Sequence, residues 1–269
     1  MPLAVCATPI GNLGDVTLRV LEELRTAEVV LCEDTRHTRL LLDRHGISAR
    51  LLSLHEHNEA ERAAEILPRL EAGERVALVS DAGMPGISDP GGRLVRAALA
   101  AGIAVSVLPG PSAVETALVA SGLVGERYQF VGFLPRRAGE LALLWKEIRT
   151  VVFPVVAFES PRRLPASLTS LATALPGREV AVCRELTKRF EEVVRGPAEE
   201  IADRFAEPPK GEITLVIGPS TGVQDGEALS EALEAVSELV AAGAPRKVAA
   251  EVVARLTGVP RNELYRSTL

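Results

Sequence analysis

The chain has 269 residues, and its 30 Lys and Arg against 36 Asp and Glu give a formal charge of −6. Hydrophobic residues at 47% and charged residues at 25% are ordinary globular usage, which argues against a disordered or collagen-like chain. No apolar run reaches the roughly 18–20 residues of a membrane span, the start Met1-Pro2-Leu3-Ala4-Val5 lacks the pattern of a signal peptide, and Cys6, Cys32 and Cys183 show no C-x-x-C spacing. The expectation is a cytoplasmic protein without disulfides, and its acidity argues against indiscriminate nucleic-acid binding while leaving room for a local basic face.

From the N-terminus, short apolar runs of strand length alternate with helix-like stretches. Strands are predicted at Leu3–Ala7, Val29–Cys32, Leu51–Leu54, Val76–Ser80 and Ala104–Leu108. Helices are predicted at Thr17–Ala27, Thr35–His45, Asn58–Glu71 and Gly92–Ala101, with Thr17, Thr35 and Asn58 as caps and Gly46, Gly73 and Gly102 as stops. This alternation predicts a mainly parallel sheet covered by helices. A second series has strands at Gln129–Leu134, Val155–Phe158, Val180–Arg184, Glu192–Arg195 and Glu212–Ile217, and helices at Gly139–Arg149, Leu164–Leu175 and Ala198–Phe205. The reading is α/β, with an N-terminal domain over 1–122, a second α/β domain over 123–220, and a helical tail over 221–269. In the tail, Glu227–Ala242 reads as one amphipathic helix and Arg246–Leu269 as two short helices broken at Gly258-Val259-Pro260.

The segment richest in chemistry is Ser80-Asp81-Ala82-Gly83-Met84-Pro85-Gly86-Ile87-Ser88-Asp89-Pro90-Gly91-Gly92, which leaves a buried strand with exposed backbone and two acids, where open α/β sheets bind ligands. Pro109-Gly110-Pro111-Ser112-Ala113 opens a helix whose free N–H groups suit a polar ligand group, and Thr8-Pro9-Ile10-Gly11-Asn12 is a similar loop. No G-x-G triplet occurs, so the Rossmann and Walker phosphate loops are absent. Glu33-Asp34-Thr35-Arg36 ends a strand and opens a helix, where one acid serves as a cap and the second exceeds that need. His55-Glu56-His57 with Asp81 or Glu33 offers imidazole and carboxylate ligands, but the second histidine cluster of a metallohydrolase is missing, so no metal is assigned. Phe158-Glu159-Ser160-Pro161-Arg162-Arg163 and Arg184-Glu185-Leu186-Thr187-Lys188, each at a strand's end, admit two readings, solvated ion pairs or clamps for a phosphate backbone.

Six ordered segments, Ala7–Leu13, Cys32–Thr38, Ser80–Gly83, Ile87–Gly91, Pro109–Ala113 and Gly132–Pro135, closely resemble the ribosomal RNA small-subunit methyltransferase I family of the tetrapyrrole-methylase-like superfamily. The resemblance extends through Glu159–Arg163, Arg184–Lys188 and Gly211-Glu212, with departures at Met84, Gly86 and Arg162. It implies two α/β domains with S-adenosylmethionine in the cleft between them, a homodimer, and methylation of a cytidine 2′-hydroxyl in the decoding region of 16S ribosomal RNA, the substrate being the small ribosomal subunit. Implied donor contacts are Thr8, Pro9, Gly11, Asn12, Ser80, Asp81, Ala82, Gly83, Ser88, Asp89, Pro90, Pro109, Gly110, Ser112 and Ala113. A ribose hydroxyl is a poor nucleophile, so a base or a field favouring its alkoxide is expected; Asp34, Asp81, Glu33, Glu159 and Lys188 are the candidates. Arg36, His57, Arg162, Arg163, Arg184 and Lys188 are the candidate RNA contacts. The alternatives are a superfamily enzyme acting on a tetrapyrrole or other small molecule, and a DNA-binding regulator led by the tail, where Pro245–Leu269 carries five Arg or Lys against two Glu.

Overall fold

Strands whose residues are apolar without alternation must be buried on both faces, and the first half of the chain is built on three of them. In the computed structural model, which describes residues 2–220, 225–257 and 259–267, β1 (Leu3–Cys6), β2 (Val29–Cys32) and β4 (Val76–Val79) are buried along their whole length. With β3 (Leu51–Ser53) and β5 (Val105–Leu108) they form a parallel sheet in the order β3-β2-β4-β1-β5. Alternate side chains feed two cores. Leu3, Val5, Val29, Leu31, Val76 and Leu78 pack with Ala63, Ile66 and Leu70 of α3 (Glu59–Glu71) and Leu94 and Ala98 of α4 (Gly92–Ala100). Ala4, Cys6, Val30, Cys32, Ala77 and Val79 pack with Val20, Leu21 and Leu24 of α1 (Leu18–Thr26) and Leu41 and Leu42 of α2 (Thr35–Arg44).

The elements agree with the sequence pattern to within a residue or two. Thr17 caps α1 by accepting from the Val20 N–H, at 3.2 Å. Two caps differ: Asp34 rather than Thr35 caps α2, accepting from the Arg36 N–H, and Asn58 instead accepts from His55 N and donates to Ser53 O. Gly46, Gly73 and Gly102 follow their helices in the left-handed conformation. A single 3₁₀ turn at Leu13–Asp15 is too short to leave a periodic signal in the sequence.

The second sheet has the order β6-β7-β10-β8-β9, formed by β6 (Gln129–Phe133), β7 (Val155–Glu159), β8 (Glu179–Arg184), β9 (Glu192–Pro197) and β10 (Ile213–Ile217). Only β6 and β7 run parallel; β10 is antiparallel to both its neighbours and β8 to β9. One face is covered by α5 (Ala113–Ser121), whose Val114, Ala117 and Leu118 meet Val156, Ala181, Cys183 and Val216. The sheet is joined by α6 (Ala138–Ile148), α7 (Leu164–Ala174) and α8 (Ala198–Arg204), with α7 against α8 and α8 against β8 and β9.

Both sheets belong to one compact unit, Met1–Lys146 with Phe153–Gly218, and Glu147–Val152 with Pro219–Leu269 forms another. In the latter, α9 (Asp225–Ala241), α10 (Arg246–Thr257) and α11 (Arg261–Ser267) enclose a core of Ala232, Val236, Ala249, Ala250, Val253 and Leu264. The expected break between the last two helices includes Gly258, which lies outside the described residues. Among the described residues, no helix is long and apolar enough to cross a membrane.

Candidate active site

The chain leaves β1 towards β2 and leaves β4 towards β5, in opposite directions across the sheet, although β1 and β4 are neighbours. Such a switch point, at the carboxyl ends of parallel strands, is where open α/β sheets hold ligands. The two loops are tied together there. Thr8 and Gly83 exchange backbone hydrogen bonds of 2.9 and 3.1 Å, the Thr8 hydroxyl donates to Ser80 O at 3.0 Å, and the Ser80 hydroxyl donates to Gly83 O at 3.2 Å. Gly110 lies on Ala7, where a Cβ would stand 2.9 Å from that of Ala7. Gly11 lies against the turn after β8: a Cβ would come within 2.9 Å of Leu186 O and 2.7 Å of Thr187 Oγ1, and Asn12 N donates to the latter at 3.0 Å.

A cavity of about 380 Å³ opens beside these loops. The first half contributes Asp81, Ala82, Gly83, Ser88, Asp89, Ser112 and Ala113, all expected from the sequence, and also Ile10, Met84, Ile87 and Val114. The second half contributes Phe158, Cys183 and Thr214, which share one face through the pairings Thr214 with Phe158 and Thr214 with Cys183. Phe133, Glu159–Pro161, Leu186 and Gly211–Ile213 complete the wall. Of these, only Glu159 is a sequence candidate for a catalytic role; Phe133, Ser160, Pro161, Leu186, Gly211 and Glu212 fall in the segments that carry the family resemblance without a role assigned to them, while Cys183, Ile213 and Thr214 lie in strands whose side follows from register.

The remaining candidates lie outside the wall, and many are engaged elsewhere. Thr8, Ser80, Gly11, Asn12 and Gly110 hold the loops together, while Pro9, Pro90 and Pro109 lie within them without lining the cavity. Asp34 grips Arg36, accepting from its backbone N at 2.8 Å, Nε at 3.1 Å and Nη2 at 2.6 Å, and these bonds hold its carboxyl well below the usual range. Lys188 bonds Glu185 at 2.9 Å and Glu212 at 2.7 Å; burial opposes its charge, but the two carboxylates outweigh burial and leave the ammonium pKa raised. Arg163 Nη2 lies 3.3 Å from Glu159 and donates to Leu134 O and Pro135 O. Arg184 bonds Glu192 and Lys210 O. Arg162 and His57 are exposed.

Negative charge collects on the loop side of the cavity. Asp81 Oδ1 accepts from Asp34 N at 3.0 Å, and its second oxygen has no hydrogen-bond partner among the described residues. Burial, then Asp81, raises the Glu33 pKa against the influence of His55. For Asp89, burial and then the Glu33 charge push the pKa up to about 7, opposed by the Ser80 hydroxyl and aided by Asp81. Burial holds Cys183 as a thiol with a pKa of about 12. Among the described residues, no group of three or more His, Cys, Asp or Glu side chains is arranged to hold a metal ion.

Residues 2–202 match the family described as tetrapyrrole (corrin/porphyrin) methylases, and residues 227–269 match the RsmI C-terminal HTH domain. A protein named ribosomal RNA small subunit methyltransferase I from Mesorhizobium japonicum is 45% identical over 99% of this chain and 91% of its own. Its namesake from Halalkalibacterium halodurans is 42% identical over 98% and 93%. Among solved structures, the methyltransferase CobJ covers 81% of this chain and 94% of its own, with a TM-score of 0.62 at 21% identity. A Thermus thermophilus uroporphyrin-III C-methyltransferase, solved with S-adenosylhomocysteine, covers 83% and 100% with a TM-score of 0.57 at 18% identity. The chain belongs to the tetrapyrrole methylase family and, within it, to the ribosomal RNA small subunit methyltransferase I family.

Proposed function

We propose that the chain transfers the methyl group of S-adenosylmethionine to the 2′-hydroxyl of a cytidine in the decoding region of 16S ribosomal RNA, presented in the small ribosomal subunit. The observation that carries this reading is a likeness to the ribosomal RNA enzymes over nearly the whole chain, including the helical tail. The tetrapyrrole rival is supported by the broad family match over residues 2–202 and by fold, at 18–21% identity to the solved structures. A cytoplasmic homodimer accompanies the proposal, with the sheets of 1–122 and 123–220 forming the methyl-transfer module and 221–269 an RNA-contacting module.

The cavity fits the donor. Its volume lies within the roughly 300–1,000 Å³ of small-molecule sites, and its wall combines apolar side chains with the carboxylates of Asp81 and Asp89, which suit a cation. When bound, S-adenosylmethionine supplies a methyl group on a positively charged sulfur, so alignment matters more than covalent help. Asp89 and the Ala82–Gly83 backbone hold the donor, and Ser112 and Ala113 at the start of α5 complete its seat. Of the five candidate bases, Asp81 and Glu159 line the cavity. Glu159 already accepts from Ser160 N and Ser167 Oγ and pairs with Arg163, whereas the second oxygen of Asp81 has no hydrogen-bond partner among the described residues; Asp81 takes the hydroxyl proton. Glu33, Asp34 and Lys188 lie outside the wall.

The test is to incubate the purified chain with small ribosomal subunits from a strain lacking this methylation and with isotopically labelled donor, and then to analyse the nucleosides by mass spectrometry. Label in 2′-O-methylcytidine from the decoding region is expected. Label on a base, or unlabelled RNA alongside a methylated tetrapyrrole, refutes the proposal.

A further inference from the structure

The strand β6 departs from regular pairing at one point, beside the cavity. Gln129 and Phe130 oppose Val155 and Val156, but Phe133 opposes Phe158, so three steps on β6 match two on β7. The extra residue is accommodated at Gly132, whose φ of +71° falls in the left-handed region that favours glycine. Without it, Phe130 and Phe133, three residues apart, would point to opposite faces. With it, both meet the same ring: Phe130 and Phe133 lie edge-to-face on Phe158 at 4.9 and 5.4 Å. The bulge thus turns onto the cavity wall a side chain that nevertheless remains 60% exposed.

The backbone just beyond Phe133 is held as firmly. Leu134 is buried, and Arg163 grips Leu134 O and Pro135 O, fixing the chain as it leaves the strand. Arg136 and Arg137 then stand exposed; Arg137 pairs only with exposed Glu140, and Arg136 has no carboxylate partner among the described residues. An aromatic face with adjacent cations is the combination that holds single-stranded nucleic acid, where a base stacks and phosphates meet the charges. The acids of the Ser80–Asp89 loop line the cavity and suit a cationic donor, whereas the exposed arginines that follow Phe133 in the chain, outside the cavity wall, suit a polyanion.

We propose that Phe133 is a stacking platform for a base of the RNA substrate, with Arg136 and Arg137 holding the adjoining phosphates. This rests on the reading of the chain as a ribosomal RNA methyltransferase and adds to it the residue that positions the target nucleotide at the cavity mouth. The edge-to-face contacts on Phe158 hold the ring in place before RNA arrives, which reduces the ordering cost of stacking.

The test uses the full chain with small ribosomal subunits, comparing Phe133→Leu and Phe133→Tyr with the parent. Leu keeps apolar bulk without a ring face, so kcat/KM for subunits should fall roughly 5- to 160-fold, the range expected for one lost base–aromatic stack. Donor affinity by calorimetry should stay within about twofold, and Tyr should restore activity. Replacing both Arg136 and Arg137 by Gln should lower the log-log salt slope of subunit binding by about 1.4, or roughly 0.7 for each single-strand phosphate contact. A Leu variant as active as the parent, or one whose donor affinity falls with its activity, overturns the proposal, the second outcome assigning Phe133 to the adenine of the donor. Failure of the parent itself to methylate subunits would instead remove the RNA reading, and the proposal with it.

Discussion

Replacing Glu159 by Gln separates a structural carboxylate from a catalytic one, because this residue lines the cavity and yet is already bound on both oxygens. Its side chain is fully buried; Oε1 accepts from Ser160 N at 2.7 Å, and Oε2 accepts from Ser167 Oγ at 2.5 Å and lies 3.3 Å from Arg163 Nη2. Gln preserves shape and can still accept from Ser160 N. Its amide, however, turns a donor towards Arg163 and forces the Ser167 hydroxyl to reverse. The loss is that of charge-assisted bonds, about 2 kcal/mol, the lower part of the 1.5–3 range because the Arg163 side chain remains 29% exposed and partly hydrated. At about 2–4 °C per kcal/mol for a domain of this size, the melting temperature should drop by about 4–8 °C. Glu159→Ala, which leaves a buried donor set facing nothing, should cost about 3–5 kcal/mol. Because Arg163 also anchors the backbone before Arg136, the subunit KM of the Gln variant should rise with turnover largely kept. Thermal denaturation run beside methylation kinetics checks this. An unchanged melting temperature with turnover down about 100-fold, the scale of a lost general acid or base, would refute the structural reading and make Glu159 the base.

Most of the first sheet could be read from the chain because burial on both faces leaves one signature, an uninterrupted apolar run such as Val76–Val79. The second sheet was less legible. Its strands were located, but antiparallel pairing of β8 with β9 depends on a turn in which Glu185 and Thr187 take positive φ with no glycine to announce it. The punctuated acidic loop was visible as a site because a buried strand rarely ends in so many acids, prolines and glycines without a ligand to meet. Cys183 and Thr214 were not, since which face of a strand meets a cavity is decided by register with distant neighbours. Arginines next to glutamates remained ambiguous for the same reason. Arg163 and Arg184 bond backbone carbonyls of other segments, and no local spacing encodes that.

Two further outcomes are expected. Lys247, Arg255, Arg261 and Arg266 are exposed on α10 and α11; changing all four to Gln should lower the log-log salt slope of subunit binding by up to about 3.6, at roughly 0.7–0.9 per phosphate contact, and leave donor affinity unchanged. An unaltered slope would make the tail a packing or dimer element. The other outcome concerns pH. Burial and Glu33 raise the Asp89 pKa from 3.8 to about 7, so between these values the folded chain binds more protons at this group than the unfolded chain does. Stability contributed by Asp89 is therefore fully present below about pH 4 and is lost as pH rises towards 7. Donor affinity should move the opposite way, because only the ionised carboxylate attracts a sulfonium. Calorimetric donor titrations from pH 5.5 to 8.5, an interval of roughly 1.5 units on either side of that pKa, should show binding strengthening through about 7. In Asp89→Asn that rise should vanish while the melting temperature above pH 7 increases. A donor affinity independent of pH in the parent would place the sulfonium away from Asp89 and leave Asp81 as the carboxylate that faces it.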